Sequence, residues 1–83
     1  MKIRVRFFAS LRETLGSEEL IECAPGCTVG QIREQLVLRG GAYAQALSSD
    51  RAVRCAWNQD LCEPEQVIEA HGELAFFPPV TGG

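Results

Sequence analysis

The chain has 83 residues and a mass of 9.1 kDa, room for one domain with a modest core and none for a large enzyme with a deep enclosed pocket. Hydrophobic residues make up 46% and charged residues 23%, a balance too apolar for a disordered chain. Eight Lys and Arg against eleven Asp and Glu leave a net charge of −3, which lacks the basic footprint of a binder of nucleic acid or anionic membrane. No apolar run approaches the ~20 residues of a membrane span. The opening Met1-Lys2-Ile3-Arg4-Val5-Arg6 alternates charge with hydrophobe, unlike a signal or transit peptide. The expectation is a small, acidic, cytoplasmic domain.

Residues 2–8 place Ile3, Val5 and Phe7 on one side and Lys2, Arg4, Arg6 and Phe8 on the other, the period of a strand with one buried face. Ser10-Leu11-Arg12-Glu13 has a capping-box pattern that predicts a short helical turn, ended by Gly16. Glu18 to Cys23 reads as a second strand in a hairpin with the first, broken by Ala24-Pro25-Gly26. Thr28-Val29-Gly30-Gln31 is a second capping box, opening a main helix over 28–39 with Val29, Ile32 and Leu36 at helical spacing. Gly40-Gly41 stops it, and Tyr43 with Leu47 suggests a weaker turn beyond.

Val53, Cys55 and Trp57 alternate as a third strand, Asn58-Gln59 reads as a tight turn, and a short strand follows around Asp60–Cys62. Val67-Ile68 offers a small apolar anchor, and Glu73–Phe77 is the last strand, with Leu74 and Phe76 on one face. A hairpin followed by a crossover helix brings the last strand beside the first in parallel. The expected fold is therefore α+β, a mixed sheet packed on one main helix: a β-grasp.

Cys23, Cys27, Cys55 and Cys62 lack the paired C-x2-C spacing of a zinc site, and the only histidine, His71, lies apart from them. Passive free thiols in apolar strands are the expectation, with metal binding and disulfides left open.

The end of the chain, Phe76-Phe77-Pro78-Pro79-Val80-Thr81-Gly82-Gly83, has its own logic. Pro78 has no N–H, so the sheet ladder stops there, and two prolines favour an extended exit. The expected division is a domain over 1–77 and an extended tail over 78–83. Stiff Val80 and Thr81 followed by bare Gly82 and Gly83 suit insertion of a carboxylate into a narrow cleft. The chemistry that wants such an end is carboxyl activation, in which a Cβ near the reacting carbon would crowd the attack.

With this tail, the opening Val5-Arg6-Phe7-Phe8-Ala9, Leu11-Arg12-Glu13, Thr28-Val29 and Asn58-Gln59 with Leu61, the sequence resembles the molybdopterin synthase small-subunit family. These are sulfur carriers of the ubiquitin-like β-grasp superfamily, and the similarity spans essentially the whole chain. The resemblance implies that Gly83 is adenylated by an E1-like adenylyltransferase that consumes ATP, then converted to a thiocarboxylate. It further implies that the tail enters the large synthase subunit and gives sulfur to precursor Z (cyclic pyranopterin monophosphate), two carriers serving the two sulfurs of molybdopterin in a heterotetramer. No permanently bound cofactor or metal is implied, and the four cysteines depart from the family pattern.

Strand parity adds a second site. If Phe7 and Phe76 face the core, Phe8 and Phe77 face outward side by side, and Leu61 extends the patch. Clustered exposed aromatics mark an interface, and the resemblance assigns the same three positions to large-subunit contact. Arg4, Arg6, Arg12 and Arg39 read as a solvated rim. The rival readings are a carrier feeding sulfur to thiazole or tRNA, a ubiquitin-like protein modifier, and a β-grasp adaptor with an inert tail. Because Lys2 is the only lysine, self-linked modifier chains have almost nowhere to grow.

Overall fold

The alternation at the start of the chain becomes β1 (Lys2–Phe7), with Ile3, Val5 and Phe7 buried and Lys2 and Arg4 exposed on the other face. The structure is a computed structural model and describes residues 1–79. Then come α1 (Ser10–Leu15), β2 (Glu18–Glu22), β3 (Cys27–Thr28), α2 (Val29–Val37), α3 (Gly41–Leu47), β4 (Arg54–Trp57), β5 (Asp60–Cys62), β6 (Val67–Ile68) and β7 (Glu73–Phe77).

Five strands form one sheet in the order β2-β1-β7-β4-β5. β1 runs antiparallel to β2 and parallel to β7, and β4 runs antiparallel to both β7 and β5. The expected hairpin and the parallel pairing of first and last strands are both present. The architecture is the α+β, ubiquitin-like β-grasp.

One sheet face carries Ile3, Val5, Phe7, Ile21, Cys55, Leu74 and Phe76 into the core. Leu11 of α1, Val29, Ile32 and Leu36 of α2, Leu47 of α3 and Ile68 of β6 close over them. Phe7 and Phe76, register partners across β1 and β7, stack with ring centroids 6.3 Å apart. The capping box of α2 forms in both directions. The Gln31 N–H donates to Thr28 Oγ1 at 3.1 Å, and the Thr28 N–H donates to Gln31 Oε1 at 2.9 Å.

Three expectations are corrected. Ser10 does not cap α1: the cap position belongs to Ala9, at φ 54° and ψ −131°, and no side chain caps the helix. The chain turns one residue earlier than the pattern suggests, because the Phe8 N–H still bonds the Phe76 carbonyl and the Phe8 carbonyl already accepts from Leu11. Gly41 starts a seven-residue helix rather than only stopping the one before: α3 runs to Leu47, which is fully buried, so the sheet is covered by more than one helix. Val67-Ile68 is a strand, pairing antiparallel with β3 in a small second sheet.

Polar contacts hold α3 in place. The Arg33 guanidinium donates to the carbonyls of Leu47, Ser48 and Arg51 at 2.6, 2.7 and 2.9 Å, satisfying the carbonyl end of α3 and the loop beyond it. Tyr43 donates its hydroxyl to Glu19 of β2 at 2.5 Å, and Arg39 pairs with the same carboxylate.

Candidate functional site

The sheet face turned away from the helices is built by parity. β1 presents Lys2, Arg4 and Arg6 there, β7 presents Glu73, Ala75 and Phe77, β4 presents Arg54 and Ala56, and β5 presents Leu61. One row crosses four strands as Arg6, Ala75, Ala56 and Leu61, each the register partner of the next. The two alanines make a low floor. Leu61 rises beside it with 67% of its surface exposed, while Ala56 is only 8% exposed although parity turns it outward.

At one end of this face Phe8 and Phe77 stand next to each other. The pairing of Phe7 with Phe76 places them one step further along, and the Phe8 N–H donates to the Phe76 carbonyl at 3.1 Å. Both rings are half-buried rather than fully exposed. The Arg6 guanidinium covers Phe8, 5.1 Å from the ring centroid, and is itself 3.7 Å from Glu73 and 4.0 Å from Glu18. Arg4 pairs with Glu18 at 3.2 Å. Two of the rim arginines are thus matched to carboxylates of the same face, and Arg39 pairs with Glu19 on the opposite one.

Leu61 is not next to Phe77. β4 lies between their strands, with Arg54 opposite Phe77 and Ala56 opposite Leu61, so the patch continues across the alanine floor rather than by direct neighbours. β7 ends at Phe77. Pro78 and Pro79 are half-buried, and Pro78 edges a groove lined by Ser10, Leu11, Thr14, Asp50, Arg51 and Val53. Val80, Thr81, Gly82 and Gly83 lie outside the described residues.

The side chains supply little chemistry of their own. Burial, then the neighbouring Cys62, pushes the Cys55 thiol up to about 12; burial, then Cys27, pushes Cys23 up to about 11. Both are protonated at neutral pH and poor nucleophiles. His71 is exposed in a turn and its Nδ1 lies 2.8 Å from the Lys2 carbonyl. Among the described residues no three His, Cys, Asp or Glu side chains converge to hold a metal.

Sequence reasoning missed the alanine floor and the cover over Phe8. The signal was present in parity: Arg6 lies two residues before Phe8 on the same face, and Ala75 lies two before Phe77.

The ThiS family model matches residues 5–83. A molybdopterin synthase sulfur carrier subunit from Haemophilus influenzae is 37% identical over 81 residues, spanning 98% of this chain and 99% of that protein. The crystal structure of SAMP1 from Haloferax volcanii superposes over 100% of both chains with a TM-score of 0.79 at 27% identity. The complex of subunits 1 and 2 of molybdopterin-converting factor from Helicobacter pylori contains a chain of the same fold, with a TM-score of 0.70 at 21% identity over 100% of both chains.

Proposed function

Because this chain belongs to the ThiS family, we propose that it is the sulfur carrier subunit of a molybdopterin synthase. The observation that carries this reading is the 37% identity to a carrier of that name over nearly the whole of both chains. The working group is the main-chain carboxylate of Gly83. An E1-like enzyme lets that carboxylate attack the α-phosphate of ATP, releasing pyrophosphate and leaving an acyl-adenylate. A sulfur nucleophile then displaces AMP and leaves a thiocarboxylate.

Pro78, Pro79, Val80 and Thr81 carry Gly82 and Gly83 into the active site of a large subunit. There the thiocarboxylate sulfur passes to precursor Z and the carboxylate returns. Two carriers and two large subunits form the assembly, one carrier for each sulfur of the dithiolene. The chain is non-catalytic alone, holds no permanent cofactor, and works in the cytoplasm. Phe8, Phe77 and Leu61, spread over the alanine floor, form the surface that docks on the large subunit.

A second reading, a protein modifier, draws on the likeness to SAMP1. It uses the same activated terminus but ends in an amide bond to a lysine. Reconstitution separates the two. Thiocarboxylated chain plus large subunit converts precursor Z to molybdopterin, and a chain lacking Gly83 makes none. Equal product from the truncated chain overturns the carrier reading.

A further inference from the structure

β4 and β5 form a hairpin closed by the two-residue turn Asn58-Gln59, so register runs Trp57 to Asp60, Ala56 to Leu61 and Cys55 to Cys62. The last pair puts two free thiols opposite each other on the core-facing side, with Sγ–Sγ 3.6 Å. Directly opposed residues of an antiparallel pair have Cα atoms about 4.5 to 5.5 Å apart, inside the roughly 4.4 to 6.8 Å span of disulfides. The thiols already engage each other: Cys62 Sγ donates to Cys55 Sγ, and Cys55 Sγ donates to the Cys62 carbonyl at 3.3 Å. They differ in access, Cys55 being 7% exposed and Cys62 half-buried. Both open on a small hollow lined by Gly30, Arg33, Arg54 and Pro64.

We propose that the facing thiols of Cys55 and Cys62 are a site for reaction with small-molecule disulfides, closing reversibly to a cross-strand disulfide. Cys62 loses its proton and attacks one sulfur of the small disulfide, giving a mixed disulfide and one released thiol. Cys55 then attacks Cys62 Sγ, its proton passing to the second released thiol. The two protein thiols are oxidised and one small disulfide is reduced to two thiols. Burial keeps Cys55 protonated at neutral pH, which makes Cys62 the entry point and the closing step faster in mild alkali. The bridge ties edge strand β5 to β4, its only strand partner among the described residues, and so fixes the exposed Leu61 beside Cys62.

The full chain is incubated with oxidised glutathione at mildly alkaline pH, capped with N-ethylmaleimide and digested with trypsin. No Lys or Arg follows Arg54, so Cys55 and Cys62 stay together in peptide 55–83, while Cys23 and Cys27 fall in peptide 13–33. The expected result is peptide 55–83 lighter by two hydrogens and free of maleimide, restored to two maleimides after reduction. Retention of two maleimides, arrest at a glutathione adduct, or a covalent dimer through this peptide overturns the proposal. Cys62→Ser should leave Cys55 far slower to take up glutathione than Cys62 is in the parent chain; equal uptake contradicts the order of attack. Amide exchange in β5 should slow several-fold in the oxidised chain, and unchanged exchange contradicts the tethering of Leu61.

Discussion

Phe8 and Phe77 are brought together by a parallel pairing between the two ends of the chain: Phe7 registers with Phe76, and the Phe8 N–H bonds the Phe76 carbonyl. The last strand is thereby held against the first at the point where its ladder ends, at Phe77. A partner that grips this patch also grips the strand end that leads into Pro78.

Phe77→Ala and Leu61→Ala should each weaken binding to the large subunit by about 2 kcal/mol, as truncation of an interface anchor does. Neither side chain is in the core, so thermal unfolding should change little. Titration calorimetry with the large subunit checks this, and unchanged affinity in both variants removes the patch from the interface.

Gly72 has no room for a side chain. A Cβ there would lie 2.6 Å from Asn58 Oδ1 and 2.6 Å from the Trp57 ring, and Asn58 is already bonded to the Glu73 N–H at 3.0 Å. Gly72→Ala should cost about 1–3 kcal/mol, the usual range for overpacking. Urea denaturation gives the number, and a variant as stable as the parent contradicts the packing described.

Two turns hold residues other than glycine at positive φ. Asn58 at 49° and Gln59 at 74° follow the type I′ pattern, in which glycine is favoured at the second position, and Ala9 sits at 54°. Gln59→Gly and Ala9→Gly should each raise stability by up to about 1 kcal/mol, relief of strain outweighing the added freedom of the unfolded chain. Thermal melts should move upward by a few degrees, and a fall in both would show that these turns are unstrained.

Alkali should destabilise the fold. Cys55 is raised to about 12, Cys23 to about 11, and Tyr43 is raised by its hydrogen bond to Glu19 and by burial. Each holds its proton more tightly when folded, so its contribution is complete below its unfolded pKa. From about pH 9 upward the unfolded chain binds fewer protons than the folded one, and stability falls until the folded values are passed. Urea midpoints from pH 8 to 11 should decline, and Cys55→Ala should decline less steeply. A flat profile contradicts the buried thiols.

What the sequence disclosed was local. Thr28 and Gln31 announce their own reciprocal bonds, the spacing of Ile3, Val5 and Phe7 announces a buried face, and Pro78 announces the end of a ladder. Ser10 misled because a cap depends on where the chain turns, and the bond from Phe8 to the distant Phe76 carbonyl sets that corner. The two-residue strands β3 and β6 are too short for any period to show. Sheet order was needed to see β4 between Leu61 and Phe77. By contrast, the meeting of Cys55 with Cys62 follows from counting outward from the Asn58-Gln59 turn.

Whether Gly83 is the reacting group can be read from the intact mass of the chain. After incubation with ATP, an E1-like activating enzyme and a sulfur donor, the chain should gain the mass of one sulfur in place of one oxygen, located at the C-terminal residue by fragmentation. A chain that keeps its original mass under conditions where the same enzyme charges another carrier would show that Gly83 is not the reacting group.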